Sequence, residues 1–210
     1  MNNFDLHTPT RILFGKGAIE KLREQIPAEA RVLITYGGGS VKKTGVLDQV
    51  LTALNGLDVL EFGGIEPNPS YETLMNAVKL AREEKVTFLL AVGGGSVLDG
   101  TKFIAAAAHY DADIDPWEIL ETYGSKIASA IPMGSVLTLP ATGSESNKGA
   151  VISRKTTGDK RAFMSSHVQP QFAILDPVYT YTLPPRQVAN GVVDAFVHTV
   201  EQYVTKPVDA

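Results

Sequence analysis

The sequence predicts an α/β fold in which a parallel sheet is covered by helices. Three observations carry this. Strand-like and helix-like segments alternate through the first half of the chain, the order that builds parallel strands with helical crossovers. The apolar runs are short, rich in Val, Ile, Leu and Phe and bounded by glycine, as in strands buried on both faces. The string Gly-Gly-Gly-Ser-Val occurs twice, at 37–41 and 93–97, each time after a strand-like run and before a helix-like one.

The elements follow in order. Residues 10–14 (TRILF) read as a strand, then a turn at Gly15 and a helical stretch over 18–25. The apolar run 32–36 is the next strand, and a helical pattern covers about 41–54. Residues 58–62 form a strand and 71–85 a helix; 88–92 form a strand leading into a long helix that opens at Ser96. After Tyr110 the alternation stops. Asp115-Pro116-Trp117 reads as the start of a short helix, with Asp as cap and Pro at the first position. Residues 136–140 are a strand, 153–163 a hairpin around Thr157-Gly158-Asp159, and 173–175 a last strand. Pro184-Pro185 then opens an amphipathic helix to about Val204.

Composition narrows the function classes. The chain has 210 residues, 44% of them hydrophobic, and a net charge of −4, close to globular averages. No run reaches the ~18 apolar residues of a membrane span, and the opening MNNFDLHTPT lacks the basic and apolar regions of a secretory signal. Mild acidity lacks the electrostatic footprint of a nucleic-acid binder. With no cysteine there is no disulfide, thiolate nucleophile or Cys-ligated zinc, so any metal must be held by His and carboxylate. A soluble cytoplasmic protein is expected.

A strand that runs through glycines into a helix makes an anion site: free N–H groups point outward, the helix dipole favours negative charge, and no side chain blocks approach. Gly93, Gly94, Gly95 and Ser96 fit this, with Ser96 as the expected cap and Asp99 as its capping-box partner. Neither turn matches a strict dinucleotide fingerprint, since Leu98 stands at the third glycine position, and no P-loop is in register. The alternative is that both are tight turns needing positive φ. If the ligand is a dinucleotide, residues 35–44 offer no carboxylate to a ribose 2′-hydroxyl but do offer Gly38, Ser40, Lys42 and Lys43, which suits a 2′-phosphate and so NADP. The lysines equally suit a solvated helix face.

Asp194 and His198 stand four apart, on one face of the last helix, and can reach one divalent cation. A solvated stripe of Gln187, Asn190, Asp194, His198 and Glu201 explains the same spacing. His7, His109 and His167 have no supporting spacing.

Gly93-Gly94-Gly95-Ser96 with Asp99, then Pro140-Ala141-Thr142-Gly143-Ser144-Glu145, then Asp194-x-x-x-His198, together resemble the iron-containing (group III) alcohol dehydrogenases. The likeness runs through the whole chain. It implies a Rossmann-like cofactor domain of dehydroquinate-synthase-like fold over 1–183, and over 184–210 the first helix of an all-helical metal-binding domain. It implies a hydride transfer between NADP(H) and an aldehyde/alcohol pair, a divalent metal (iron or zinc) and a homodimer without nucleic-acid or membrane partners. By resemblance Gly38 and Ser40 lie near the adenosine 2′-phosphate, Asn68 near the adenosine end or the phosphates, and Gly95 and Ser96 in the pyrophosphate loop, with Gly94 and Asp99 also counted as cofactor-binding. Thr138, Thr142, Asn147, Lys160 and Tyr179 match positions along the nicotinamide half and phosphates, and Asp194 and His198 match two metal ligands. The family's loop is shortened here around Ala141-Thr142-Gly143, and its two further histidine ligands are expected beyond Ala210, so the chain reads as an N-terminal fragment, inactive by itself. A carbon–oxygen lyase of the dehydroquinate-synthase type and a non-catalytic nucleotide-binding piece remain the alternatives.

Overall fold

The computed structural model describes residues 7–205, so most of the stretch read for a signal, and the last five residues, lie outside it. Six strands make one parallel sheet: β1 (Arg11–Phe14), β2 (Arg31–Tyr36), β3 (Asp58–Phe62), β4 (Phe88–Gly94), β5 (Met133–Leu139) and β8 (Phe172–Leu175), in the order β1-β8-β5-β4-β2-β3. The antiparallel pair β6 (Gly149–Arg154) and β7 (Asp159–Met164) stands apart as a hairpin. The helices are α1 (Ser40–Lys43), α2 (Val46–Ala53), α3 (Tyr71–Glu83), α4 (Gly95–Ala108), α5 (Glu118–Glu121) and α6 (Pro185–Val204).

The period-two geometry of a strand splits the core into two layers. On β4, Phe88, Leu90 and Val92 face a cluster with Leu47 and Val50 of α2, while Leu89 and Ala91 face one with α3, α4 and Trp117. Both sets are fully buried, which is why the run shows no polar alternation. Truncating such a residue, Leu90→Ala for example, costs about 2–5 kcal/mol. Helix α4 is buried almost all round; at Gly100 an added Cβ would stand 2.8 Å from Leu74, so glycine sets the close approach of α3 and α4.

Three local expectations are corrected. The helix expected over 41–54 is broken into α1 and α2, because Gly45 adopts φ +74°, outside the helical range. The stretch 18–25 forms two 3₁₀ turns; three residues per turn align Ile19 with Leu22, and both are buried. Ser96 does not cap α4. The cap position is Gly94, and no side chain closes that end.

Candidate cofactor and metal site

The sheet order places a crevice. The chain leaves β2 toward β3 on one side and leaves β4 toward β5 on the other, so the connections diverge between neighbouring strands β2 and β4. Open α/β sheets bind ligands at such a switch, beyond the carboxyl ends of the strands. Both Gly-Gly-Gly-Ser turns lie there, one after β2 and one ending β4. They lie close together: a Cβ added to Gly37 would stand 3.7 Å from Val97, on the first turn of α4.

The first turn of α4 has no side-chain cap and no acidic residue, leaving its N–H groups and positive dipole end free. At the other turn a Cβ on Gly38 or Gly39 would meet nothing within 4 Å. Backbone donors and open space suit a phosphate-bearing ligand. Around them, Asn68 (φ +57°) donates its N–H to Ser96 Oγ at 3.4 Å, and Lys160, on the hairpin, donates to Asn68 Oδ1 at 2.7 Å. The structure thus brings Asn68, Ser96 and Lys160 together from 92 residues of separation.

The loop 140–149 roofs the crevice. An added Cβ on Gly95 would stand 2.5 Å from Thr142 Oγ1, so Thr142 lies directly over that glycine. Asp99 is no capping-box partner: its Oδ1 accepts from Ser144 Oγ at 2.7 Å and its Oδ2 from the Val151 N–H at 3.0 Å. Burial raises its pKa, and those two donors only partly offset the effect. Thr138, half-buried near the end of β5, leads into this loop. Tyr179 lies elsewhere. Its ring is buried and its hydroxyl donates to Gln49 Oε1 at 3.1 Å, beside a hollow of about 300 Å³ that Thr44 also lines. It therefore sits with the first glycine turn's helices, apart from Thr142 and Asn147.

A cleft of about 780 Å³ separates the end of β5 from α6, lined by Leu139, Thr142, Gln187, Asn190, Asp194 and His198. The polar stripe of α6 faces this cleft. His198 Nε2 is 3.6 Å from Asp194 Oδ1, and both side chains are more than half exposed. One imidazole and one carboxylate suit divalent iron or zinc. They fit as part of a metal site; among the described residues no three such groups converge.

Two residues of the site escape the sequence reading. Glu61 comes from β3 to the first glycine turn, where its Oε2 accepts from the Tyr36 hydroxyl at 2.9 Å and pairs with Lys42 at 3.7 Å. A search of the local window for a carboxylate misses it. Lys102 is fully buried in α4, and a lysine inside the apolar run GTKFIAAAA is the signal that could have found it.

A parallel sheet with two glycine turns at its switch point and a His/carboxylate wall beyond its carboxyl edge defines an open α/β protein of the doubly wound class. More narrowly, the chain belongs to the iron-containing alcohol dehydrogenase family, whose family model matches residues 9–177. It is 87% identical over 210 residues to the NADPH-dependent aldehyde reductase YqhD of Escherichia coli (strain K12), covering all of this chain and 54% of that protein. It is 47% identical to a probable NADH-dependent butanol dehydrogenase of Bacillus subtilis (strain 168), over 97% of this chain and 52% of the other. Among solved structures it matches the substrate- and cofactor-free form of the E. coli aldehyde reductase with TM-score 0.92 and 84% identity, covering 100% of this chain and 53% of that one. It matches the NADH-dependent butanol dehydrogenase A of Thermotoga maritima with TM-score 0.88 and 42% identity, over 96% and 51% of the two chains. The chain spans about half the length of the curated relatives it matches.

Proposed function

We propose that this chain is the nicotinamide-dinucleotide-binding part of an NADP(H)-dependent aldehyde reductase or alcohol dehydrogenase that also uses a divalent metal. The observation that carries the reading is the crevice itself: two capless glycine turns at the switch point of the sheet, the second of them roofed by Thr142, which also lines a cleft whose far wall holds Asp194 and His198. In this reading Gly38 and Ser40 receive the adenosine end, and Asn68, Gly94, Gly95 and Ser96 the phosphates. Thr138, Thr142, Asn147 and Lys160 line the nicotinamide half, with Asp99 behind the roof loop. Tyr179, with its hydroxyl on Gln49, supports the adenosine end instead. Asp194 and His198 would hold the metal, iron or zinc, which supplies Lewis-acid polarisation of a carbonyl oxygen when bound. The domain fixes the hydride donor against that oxygen's carbon and screens it from water.

The NADP preference is supported by open space at Gly38, by Glu61 being tied up by Tyr36 and Lys42, and by the NADPH dependence of the 87%-identical E. coli relative. Family membership favours this oxidoreductase over a carbon–oxygen lyase. A small aldehyde or alcohol as substrate, a homodimer and a cytoplasmic location complete the reading, with no nucleic-acid or membrane partner; no described helix is long and apolar enough to cross a membrane. The test is a paired titration with NADPH and NADH, followed by fluorescence enhancement. Tighter NADPH binding is expected, and equal affinity for the two overturns the preference.

A further inference from the structure

We propose that Lys102 is a positioning residue for the cofactor cleft: it fixes the carboxamide of Asn147 so that a hydrogen-bond donor, Nδ2, faces the ligand. The inference rests on the dinucleotide reading above and goes beyond it, from the residues that line the cleft to the one that sets their polarity.

The Lys102 side chain is fully buried, and its ammonium donates to Ser144 Oγ at 2.9 Å, Asn147 Oδ1 at 2.9 Å and the Gly149 carbonyl at 2.8 Å. An ammonium has three N–H donors, so this one is fully satisfied. Ser144 Oγ accepts from Lys102 and donates its own O–H to Asp99 Oδ1. Asn147 Oδ1 receives a second donor, the Gly149 N–H, at 2.9 Å. Two donors converging on one atom of a carboxamide require that atom to be the oxygen. The amide orientation is therefore imposed by chemistry, and Nδ2 is left with no hydrogen bond to the described residues. The Asn147 side chain is exposed on the roof loop, and with Thr142 and Asp99 it lines a hollow of about 650 Å³ whose other wall is the hairpin at Phe163 and Met164. An unpaired donor on the loop over Gly95 suits an acceptor oxygen on the nicotinamide side of the ligand: a phosphoryl oxygen there or the carboxamide oxygen of the nicotinamide.

Stability alone does not explain the lysine. A buried charge is expensive to desolvate, and a well-packed apolar residue of similar volume often serves as well or better. The ammonium is best explained by what it orients, the loop 142–149 laid over Gly95.

Two variants test this, with NADPH, 2′-phospho-ADP-ribose and 2′,5′-ADP as probes. Asn147→Asp keeps both inward bonds, since a carboxylate accepts from Lys102 and Gly149, but turns the outward donor into an acceptor. Its melting temperature should not fall below the parent's, because the carboxylate pairs with the Lys102 ammonium, while its NADPH Kd rises about 10- to 100-fold, the scale of a lost hydrogen bond plus charge repulsion. Lys102→Met should shift NADPH binding in the same direction. Neither should alter 2′,5′-ADP, which lacks the nicotinamide, its ribose and the phosphate attached to that ribose. If 2′-phospho-ADP-ribose shows the same loss, the acceptor is phosphoryl; if it does not, the acceptor is the nicotinamide carboxamide. In the NMR spectrum the Asn147 side-chain NH₂ signal should move on adding NADPH and stay still with 2′,5′-ADP. Should Lys102→Met fail to fold, Asn147→Asp carries the test. Folded variants that bind NADPH like the parent overturn the proposal, as does equal weakening of 2′,5′-ADP. A parent chain that binds no NADPH removes the cofactor reading itself, a different result from parity between parent and variants.

Discussion

A side chain at Gly38 points into open space, so Gly38→Asp should fold normally and act on the ligand alone. It adds a carboxylate that repels a 2′-phosphate and accepts from a 2′-hydroxyl. The ratio of NADPH to NADH affinity should fall by at least about tenfold, roughly one charge-assisted contact; an unchanged ratio in paired titrations would reject the subsite. Gly95 behaves differently. Any Cβ there collides with Thr142, so even Gly95→Ala should displace the roof loop and weaken NADPH, and Thr142→Ala should recover part of that loss. No recovery in the double variant would mean the Cβ obstructs the ligand directly. Lys102 offers a pH test. Burial pushes its ammonium down to about 8, against attraction from Asp99 and Glu145, whereas an unfolded lysine titrates at about 10.4. Between those values the unfolded chain holds a proton that the folded chain has released, so this residue's penalty on the fold is relieved as pH rises through the window. The stability of the parent relative to Lys102→Met should therefore increase from pH 8 to 10; urea titrations showing a constant difference would contradict the shift. The Gly38 subsite was legible in the sequence, but the partners of Lys102 were not, because they lie 42 to 47 residues away.

The hairpin β6–β7 is seated by Ala150, Ile152 and Phe163 in the core, and carboxylates on the neighbouring elements tie down its turn. Glu66 accepts from Lys155 at 2.6 Å, from Ser70 and from Thr73, while Glu72 at the start of α3 accepts from the Lys155 and Thr156 N–H groups. Arg154 lies over the rings of Tyr71 and Trp117 and pairs with Asp115 at 3.1 Å. Although burial opposes it, the donors around Glu66 hold its carboxyl down to about 2. A depressed carboxyl stabilises the fold above its unfolded pKa and loses that contribution as pH falls toward 2. The melting-temperature advantage of the parent over Glu66→Gln should thus be present at pH 6 and gone near pH 2; an advantage that persists in acid would assign it to packing. Helix α6 is the opposite case. It buries no residue, and Val192 and Phe196 are 66% and 68% exposed. Deleting 185–210 should leave the melting temperature of the sheet within a few degrees, and its amides should exchange first; strong protection there would refute this. The existence of these elements was readable from periodicity. Their internal breaks were not, because the break at Gly45 and the 3₁₀ turns over 18–25 follow from backbone torsions and from which residues the core accepts.

For the molecule as a whole, metal and turnover should go together. With two donors on one wall of the cleft and no convergent third among the described residues, the 210-residue chain should retain little iron or zinc and leave an aldehyde unreduced, since a catalytic site of this kind has at least three protein ligands plus an open position. Metal content and aldehyde-dependent NADPH oxidation, read on the same sample, check this; stoichiometric metal or sustained turnover would overturn the ligand count. By itself the sequence determined the alternation of elements, the two glycine turns and the Asp194–His198 pair, because each is encoded within a few residues by strand period, helix spacing and glycine's freedom. Only the tertiary structure decided that β2 and β4 are neighbours, that Thr142 roofs Gly95, that Glu61 reaches the first turn and that Lys102 holds the loop. Those contacts depend on strand order and on which buried charges find partners. Both are settled by burial and hydrogen bonding across the whole sheet, and no short window of residues records them.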